Sequence, residues 1–499
     1  MSAAANIFTL KVPAPQGSGS ITHGIPTDLL IGSEWRASSS RSRLPVHDPS
    51  TGEILTTIAD ASVEDCLAAL DAAAAAASGW ASTAPRLRAE LLRKCYEAMI
   101  VNADWLAYLI SLEMGKALPD AKGEVLYAAE FFRWYSEECV RLRGEIQDSP
   151  AGGNKILVQY QPIGVSLLIT PWNFPAAMAT RKIAPALGAG CTVILKPAVE
   201  TPLTALAIAQ LMLDAGIPPG VINVITPGDP SPACEAIMCD PRTRKLSFTG
   251  STAVGRRLLA TAAQSVLNCS MELGGNAPFI VFDDADLDAA LDGAMVAKMR
   301  NGGQACTAAN RFYVQRGIAP DFIAGLTDRM ASLELGPGTD SQTTLGPVVS
   351  HKQVTSIARK VDQALAEGAV AALGGVRPER DGFYYPPTVL TDVAPDATIL
   401  KDEIFGPVAA IVEFDTEEEV VALANDTQYG LAAYVYTRDT TRGLSVSQRL
   451  DYGMVGLNRG LVSDTAAPFG GVKQSGLGRE GSHHGLIEFT ECRYIAVTW

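Results

Sequence analysis

Between Ile163 and Phe282 short apolar runs alternate with helical segments, and this alternation restricts the chain more than any other feature. "VSLLIT", "CTVILK", "VINVIT", "KLSFTG" and "APFIVF" are strand-length and rich in Val, Ile, Leu and Phe. Segments such as Thr201–Gly216 lie between them with helical texture. Strand–helix alternation with apolar, non-alternating strands predicts a mostly parallel α/β sheet covered on both faces. A second α/β set follows from Phe282 to about residue 470, closed by the Gly-rich segment Pro468–Gly481. With 499 residues the chain has room for two or three domains, at roughly 150 residues each.

Ahead of these sets helices dominate. "SVEDCLAALDAAAAAASG" opens with Ser62 three residues before Asp65, a capping-box start, and is expected to end at Gly79. Pro85 stands at a first helical position. "DADLDAALDGAMVAKMR" reads as a further helix. "NKILVQY" (154–160) and "RYIAVTW" at the C-terminus read as strands that pair with each other or with another subunit. The first twenty residues, rich in Pro, Gly and Ser, read as a loose arm.

The net charge of −14, with no Lys/Arg run, removes support for nucleic-acid binding or an anionic membrane surface. Nine cysteines form no CxxC, and none joins one of the five histidines at metal spacing, so no metal site is expected. The thiols suggest a reducing compartment. The first residues show neither an apolar leader core nor arginine, and the uncharged run Ile183–Leu195 is too short for a bilayer, so a cytoplasmic location is expected.

Several strand exits carry unusual residues. Cys306, in "RNGGQACTAANR", is surrounded by small and polar neighbours, so it either packs in a tight corner or is approached closely by another group. In "ITPWNFP" two prolines bracket Trp172, Asn173 and Phe174; a rigid loop is what a donor to a developing oxyanion requires. Lys196 emerges at the end of "TVILK", where ligands of open α/β sheets gather. In "FTGSTAVG" a strand ends at a Gly250–Ser251 turn and a helix begins near Thr252, whose free N–H groups suit phosphate. Glu272 precedes two glycines in "MELGGNAP"; a glutamate placed there is costly unless paired or used.

Taken with "EIFGPV" and "PFGGVKQSGLGREG", these motifs stand in an order that resembles the aldehyde dehydrogenase superfamily, from about residue 28 to the end. The resemblance implies an α/β aldehyde dehydrogenase-like fold with a Rossmann-like cofactor domain (residues 23–143 and 162–274) and an α/β catalytic domain (275–473). It also implies a β-strand oligomerisation flap (144–161 and 485–499), behind an N-terminal arm at 1–22. It assigns Cys306 as nucleophile, favoured by local electropositivity, Glu272 as general base and Asn173 as oxyanion donor beside the Cys306 backbone N–H. The implied cofactor residues are Thr170, Pro171, Trp172, Lys196, Val199, Gly228, Phe248, Thr249, Gly250, Ser251, Val254, Leu273, Glu403 and Phe405.

"MATRKIAPALGAGC", "RKLSFTGST" and "LGGNAPFIVFDDADLD" narrow the likeness to succinate-semialdehyde dehydrogenases. That subfamily implies a role in 4-aminobutyrate degradation, and Arg181, Arg300 and Ser463 as holders of the substrate's distal carboxylate. Many NAD-preferring relatives carry a glutamate where Val199 stands, with Glu200 one step later here. NADP is therefore the expected cofactor, NAD the second candidate. Ala308 stands where some relatives carry a second cysteine, so no local disulfide switch is expected. The alternatives are the same mechanism on glutarate semialdehyde or a medium-chain aliphatic aldehyde, a CoA-acylating enzyme, or a cysteine hydrolase without a redox step. A homodimer or homotetramer is expected.

Overall fold

The computed structural model describes residues 5–13 and 20–499. Two sheets organise the chain. The first has eight strands, and its centre is five parallel ones in the order Asn268–Glu272, Thr243–Thr249, Val165–Ile169, Val193–Lys196 and Ile222–Val224. From Val165–Ile169 the chain builds first to one side and then returns to build on the other. The order reverses between Val165–Ile169 and Thr243–Thr249, and such a reversal opens a crevice at the carboxyl ends of the strands. Every residue of Val165–Ile169, Val193–Lys196 and Ile222–Val224 is buried, as the unbroken apolar runs require.

The second sheet has seven strands in the order Val370–Leu373, Thr388–Thr391, Val408–Phe414, Ala309–Gln315, Ala277–Val281, Ala432–Tyr436 and Met454–Leu457. All its pairings are parallel except the first. The Gly-rich segment then carries the chain back to the first sheet, where Gly476–Leu477 pairs with Met271 and Glu272. The helix Pro175–Ala189, directly after Val165–Ile169, is buried along its whole length.

The strands Lys155–Pro162 and Thr490–Val497 pair antiparallel with each other, and Glu145–Asp148 completes a three-stranded sheet. The first long helix begins with the capping box, Ser62 Oγ accepting from Asp65 N at 3.1 Å and Asp65 from Ser62 N at 3.0 Å. It runs through Gly79 to Ser82, which corrects the expected end. A lone glycine costs a helix only about 1 kcal/mol, and the stop comes just before Pro85 opens the next helix.

The loose N-terminal arm also needs correction. Ile7–Pro13 and Ser20–Pro26 form an antiparallel hairpin. Its period-two pattern puts Phe8, Leu10 and Val12 inward, with Leu10 buried. His23 stacks on Trp105 at 4.8 Å. The parts of the arm call at 1–4 and 14–19 lie outside the described residues. Among the described residues no helix is long and apolar enough to cross a membrane.

Candidate active site

A cavity of about 790 Å³ opens at the carboxyl ends of the first sheet and is closed on its other side by loops of the second. The loop after Val165–Ile169 enters it with Thr170, whose N–H donates to Lys196 O at 3.1 Å. Trp172 and Asn173 follow, and Pro175 starts the helix. No side chain of the loop caps that helix. Glu124 does so from a distance, accepting from Ala176 N and Ala177 N at 2.8 and 3.2 Å. Lys116 pairs with Glu124 at 2.5 Å and donates to Asn173 O at 2.7 Å. Asn173 is thus fixed by a buried ion pair more than forty residues upstream. Its Nδ2 donates to Gln304 O at 3.0 Å, and its Oδ1 is buried without a partner.

Cys306 reaches the same space between a short 3₁₀ turn, Arg300–Gly303, and the strand Ala309–Gln315. Asn301, Gly302 and Gly303 all have left-handed backbone, at φ 55°, 59° and 74°. Gly275 must be glycine, because a Cβ there would lie 2.2 Å from Cys306 O. The thiol is half-buried, and burial pushes it up to about 12. Arg181 pulls the other way, but the Glu403 and Glu272 carboxyls reinforce the rise. Arg300 also pulls downward, yet the electropositive setting expected for a thiolate is outweighed here: the two cations are too weak against desolvation and two acids.

Glu272 is not among the cavity-lining residues. It is buried behind the wall, with Oε1 close against Gly470 and Oε2 without a partner. Burial, then repulsion from Glu480, raises its carboxyl well above the usual range, against Arg181, Lys182 and Arg479.

The arginines differ. Arg181 lines the cavity, yet it is 1% exposed, pairs with Glu480 at 2.5 Å and lies over the Phe469 ring at 4.1 Å. Glu480 also pairs with Lys182 at 2.5 Å. Among the described residues Arg300 makes no ion pair; its guanidinium lies over Phe174, 5.2 Å from the centroid, and lines the cavity. Ser463 lines it as well. Of the two arginines expected at the distal carboxylate, Arg181 is already partnered by Glu480.

Of the expected cofactor residues, Thr170, Pro171, Trp172, Lys196, Phe248, Thr249, Gly250, Ser251, Val254, Leu273, Glu403 and Phe405 all line the cavity. Val199 and Gly228 do not. Gly228 is drawn to Asp60, its N–H donating to Oδ1 at 2.8 Å. After Lys196 the chain turns so that Glu200, not Val199, faces inward. Trp172 meets Phe405 edge-on at 5.3 Å. Phe405 has φ 57°, and Gln353 Nε2 and Lys360 Nζ donate to the carbonyls of Phe405 and Glu403. Burial raises the Glu403 carboxyl to about 7, opposed by Gly275 N–H, Lys360 and Lys298.

The sequence reading passed over Tyr127, Phe174, Met178 and Phe469, which line the cavity, and Lys116, Asn301, Gln353 and Lys360, which brace it. Phe174 stands inside the "ITPWNFP" motif, and Asn301 before two glycines five residues from Cys306. Met178 opens "MATRKIAPALGAGC" and Phe469 stands in "PFGGVKQSGLGREG", whereas Tyr127, Lys116, Gln353 and Lys360 carry no local signal.

The residues fit a dinucleotide. The helix Thr252–Ala262 points its N-terminus into the cavity, with Ser251 as its cap and Gly250 at the turn. A Cβ on Gly250 would lie 2.5 Å from the Phe248 ring. Oriented N–H groups, a lysine at a strand end and a carboxylate facing an aromatic are donors and acceptors for phosphate and ribose.

The chain belongs to the aldehyde dehydrogenase family, whose model matches residues 35–495. It is 53% identical to a succinate-semialdehyde dehydrogenase of Paenarthrobacter nicotinovorans over 444 residues, 89% of this chain and 99% of that protein. It is 45% identical to a glutarate-semialdehyde dehydrogenase of Pseudomonas aeruginosa, over 93% of this chain and 96% of that one. The crystal structure of an Escherichia coli NADP-dependent enzyme superposes with a TM-score of 0.94 at 44% identity, covering 95% of this chain and 98% of the other.

Proposed function

We propose that this enzyme oxidises succinate semialdehyde to succinate with NAD(P)+, NADP being preferred. The observation that carries the reading is one cavity holding a thiol, an amide donor and an arginine that makes no ion pair among the described residues: Cys306, Asn173 and Arg300. A guanidinium binds a carboxylate bidentately and selects a short semialdehyde acid over a neutral aldehyde.

Cys306 gives its proton to solvent and its sulfur adds to the aldehyde carbon. Asn173 Nδ2 and the Cys306 backbone N–H donate to the oxygen as charge develops on it. The bound dinucleotide supplies the hydride acceptor. A thioester on Cys306 remains. Glu272 turns from its seat beside Gly470 toward the cavity and takes a proton from water, whose oxygen adds to the thioester carbon. The C–S bond breaks, the acid leaves and the sulfur is restored. Arg300 holds the distal carboxylate, with Ser463 beside it; Arg181, paired with Glu480, contributes at most a shared contact. Lys196 holds the adenosine ribose or its 2′-phosphate, helix Thr252–Ala262 the pyrophosphate, and Glu403 the other ribose. Val199 leaves one position free of a carboxylate, and Glu200 limits the preference for NADP.

In this reading residues 23–143 with 162–274 bind cofactor, 275–473 carry the catalytic thiol, and 144–161 with 485–499 join copies of a homodimer or homotetramer in the cytoplasm. Exposed Ile146, Tyr494 and Ile495 on the three-stranded sheet favour such a contact. Glutarate semialdehyde is the second reading, favoured by the Pseudomonas relative's name. A kinetic grid of succinate semialdehyde, glutarate semialdehyde and butyraldehyde against NADP and NAD tests both. Equal kcat/KM for butyraldehyde and the acids refutes the carboxylate reading.

A further inference from the structure

Asn301 occupies a backbone conformation that non-glycine residues adopt rarely, with asparagine among the best tolerated. It is 1% exposed and does not line the cavity. Its conformation aims the side-chain amide between two loops. Nδ2 donates to Asn173 O at 2.8 Å and to Gln304 O at 3.0 Å. The same Gln304 oxygen receives Asn173 Nδ2, and the same Asn173 oxygen receives Lys116 Nζ. Gln304 returns the contact, its backbone N–H and its Nε2 donating to Asn301 O at 3.1 and 3.2 Å. From the other side Asp120 Oδ2 accepts from Asn301 N at 2.7 Å.

One amide therefore ties the loop that presents Asn173 to the loop that presents Cys306. The bond from Asn173 Nδ2 to Gln304 O uses one of its two hydrogens and sets the direction of the other. We propose that Asn301 is a positioning residue, fixing the oxyanion donor relative to the nucleophile. The proposal rests on the roles given above to Cys306 and Asn173. It extends them by naming what holds the pair in register, which matters because a shift of about 1 Å in a reacting geometry costs roughly a hundredfold in rate.

The test uses Asn301→Gly, which accepts the left-handed backbone and removes both side-chain bonds. Asn301→Ser, whose short hydroxyl cannot span both carbonyls, serves if the glycine variant does not fold. The expected result is a fall in kcat of about tenfold to a hundredfold, with KM for the aldehyde and Kd for NADP within about twofold of the parent. The fall should vanish when the same change is made in an Asn173→Ala background, because there is then no amide to aim. An unchanged kcat, or an equal loss with and without the Asn173 amide, overturns the proposal. The underlying roles fail separately: Cys306→Ser retaining turnover, or Asn173→Ala costing nothing, would remove them whatever Asn301 does.

Discussion

The end of the cavity around Cys306 and the end around Lys196 are held differently: Lys196 stands at the carboxyl edge of the first sheet, and Cys306 comes from a loop of the second. Around Cys306, Asn173 is buried and tied through several buried partners, Lys116, Glu124, Asn301 and Gln304. At the other end Lys196, Glu200, Ser231, Glu235 and Arg257 line the space from a strand end, a loop and two helices, and all but Lys196 are exposed. The contrast shows where tolerance ends. Chemistry that depends on tenths of an ångström is enclosed in a redundant buried network, whereas a choice between two cofactors rests on charges whose interactions water screens.

Changes at the enclosed end should cost orders of magnitude, those at the open end only small factors. Cys306→Ser is expected to abolish turnover while dinucleotide binding, followed by protein fluorescence, stays intact. Because burial holds the thiol near 12, the parent's alkylation by iodoacetamide should climb about tenfold per pH unit from 7 to 9 without levelling; a plateau below pH 8 would break the contrast at its strongest point. Glu272→Gln comes next, with kcat lower by about a hundredfold to ten-thousandfold. One equivalent of reduced cofactor should still form rapidly in a stopped-flow trace, since only thioester hydrolysis needs the base. With the Glu272 carboxyl raised, the basic form gains as pH rises, so the parent's hydrolytic step should accelerate with rising pH.

Arg300→Ala sits between the two regimes. Losing a charged hydrogen-bonded partner, about 1.5–3 kcal/mol, should lower kcat/KM for succinate semialdehyde by roughly tenfold to a hundredfold and leave butyraldehyde unchanged. The smallest effect belongs to the open end: Glu200→Gln should raise the NADP-to-NAD ratio of kcat/KM only about threefold to fivefold, as a screened charge does. A hundredfold change would mean that the adenosine end is as tightly built as the other.

How much of this was legible in the sequence depends on the range of the interactions. The parallel sheets and the capping box at Ser62 follow from patterns within a few residues, and so does the register-setting alternation of Phe8, Leu10 and Val12, which composition obscured because Pro, Gly and Ser dominate the flanks. Cys306, Asn173 and Arg300 were visible through motif order. Lys116 was not: its signal is a contact across fifty-seven positions, with nothing local to mark it. Nor could the sequence tell that Arg181 meets Glu480, or that the loop after Lys196 turns Glu200 inward and Val199 away.

By itself the sequence determined the family and the alternating strand–helix plan and pointed to the groups proposed to react, because each is written in short-range periodicity or in contiguous motifs. Only the tertiary structure decided which charges remain free and how far burial shifts the Cys306 thiol and the Glu272 carboxyl. Those depend on which side chains from remote segments exclude water around a group, and neither spacing nor residue type along the chain carries that information.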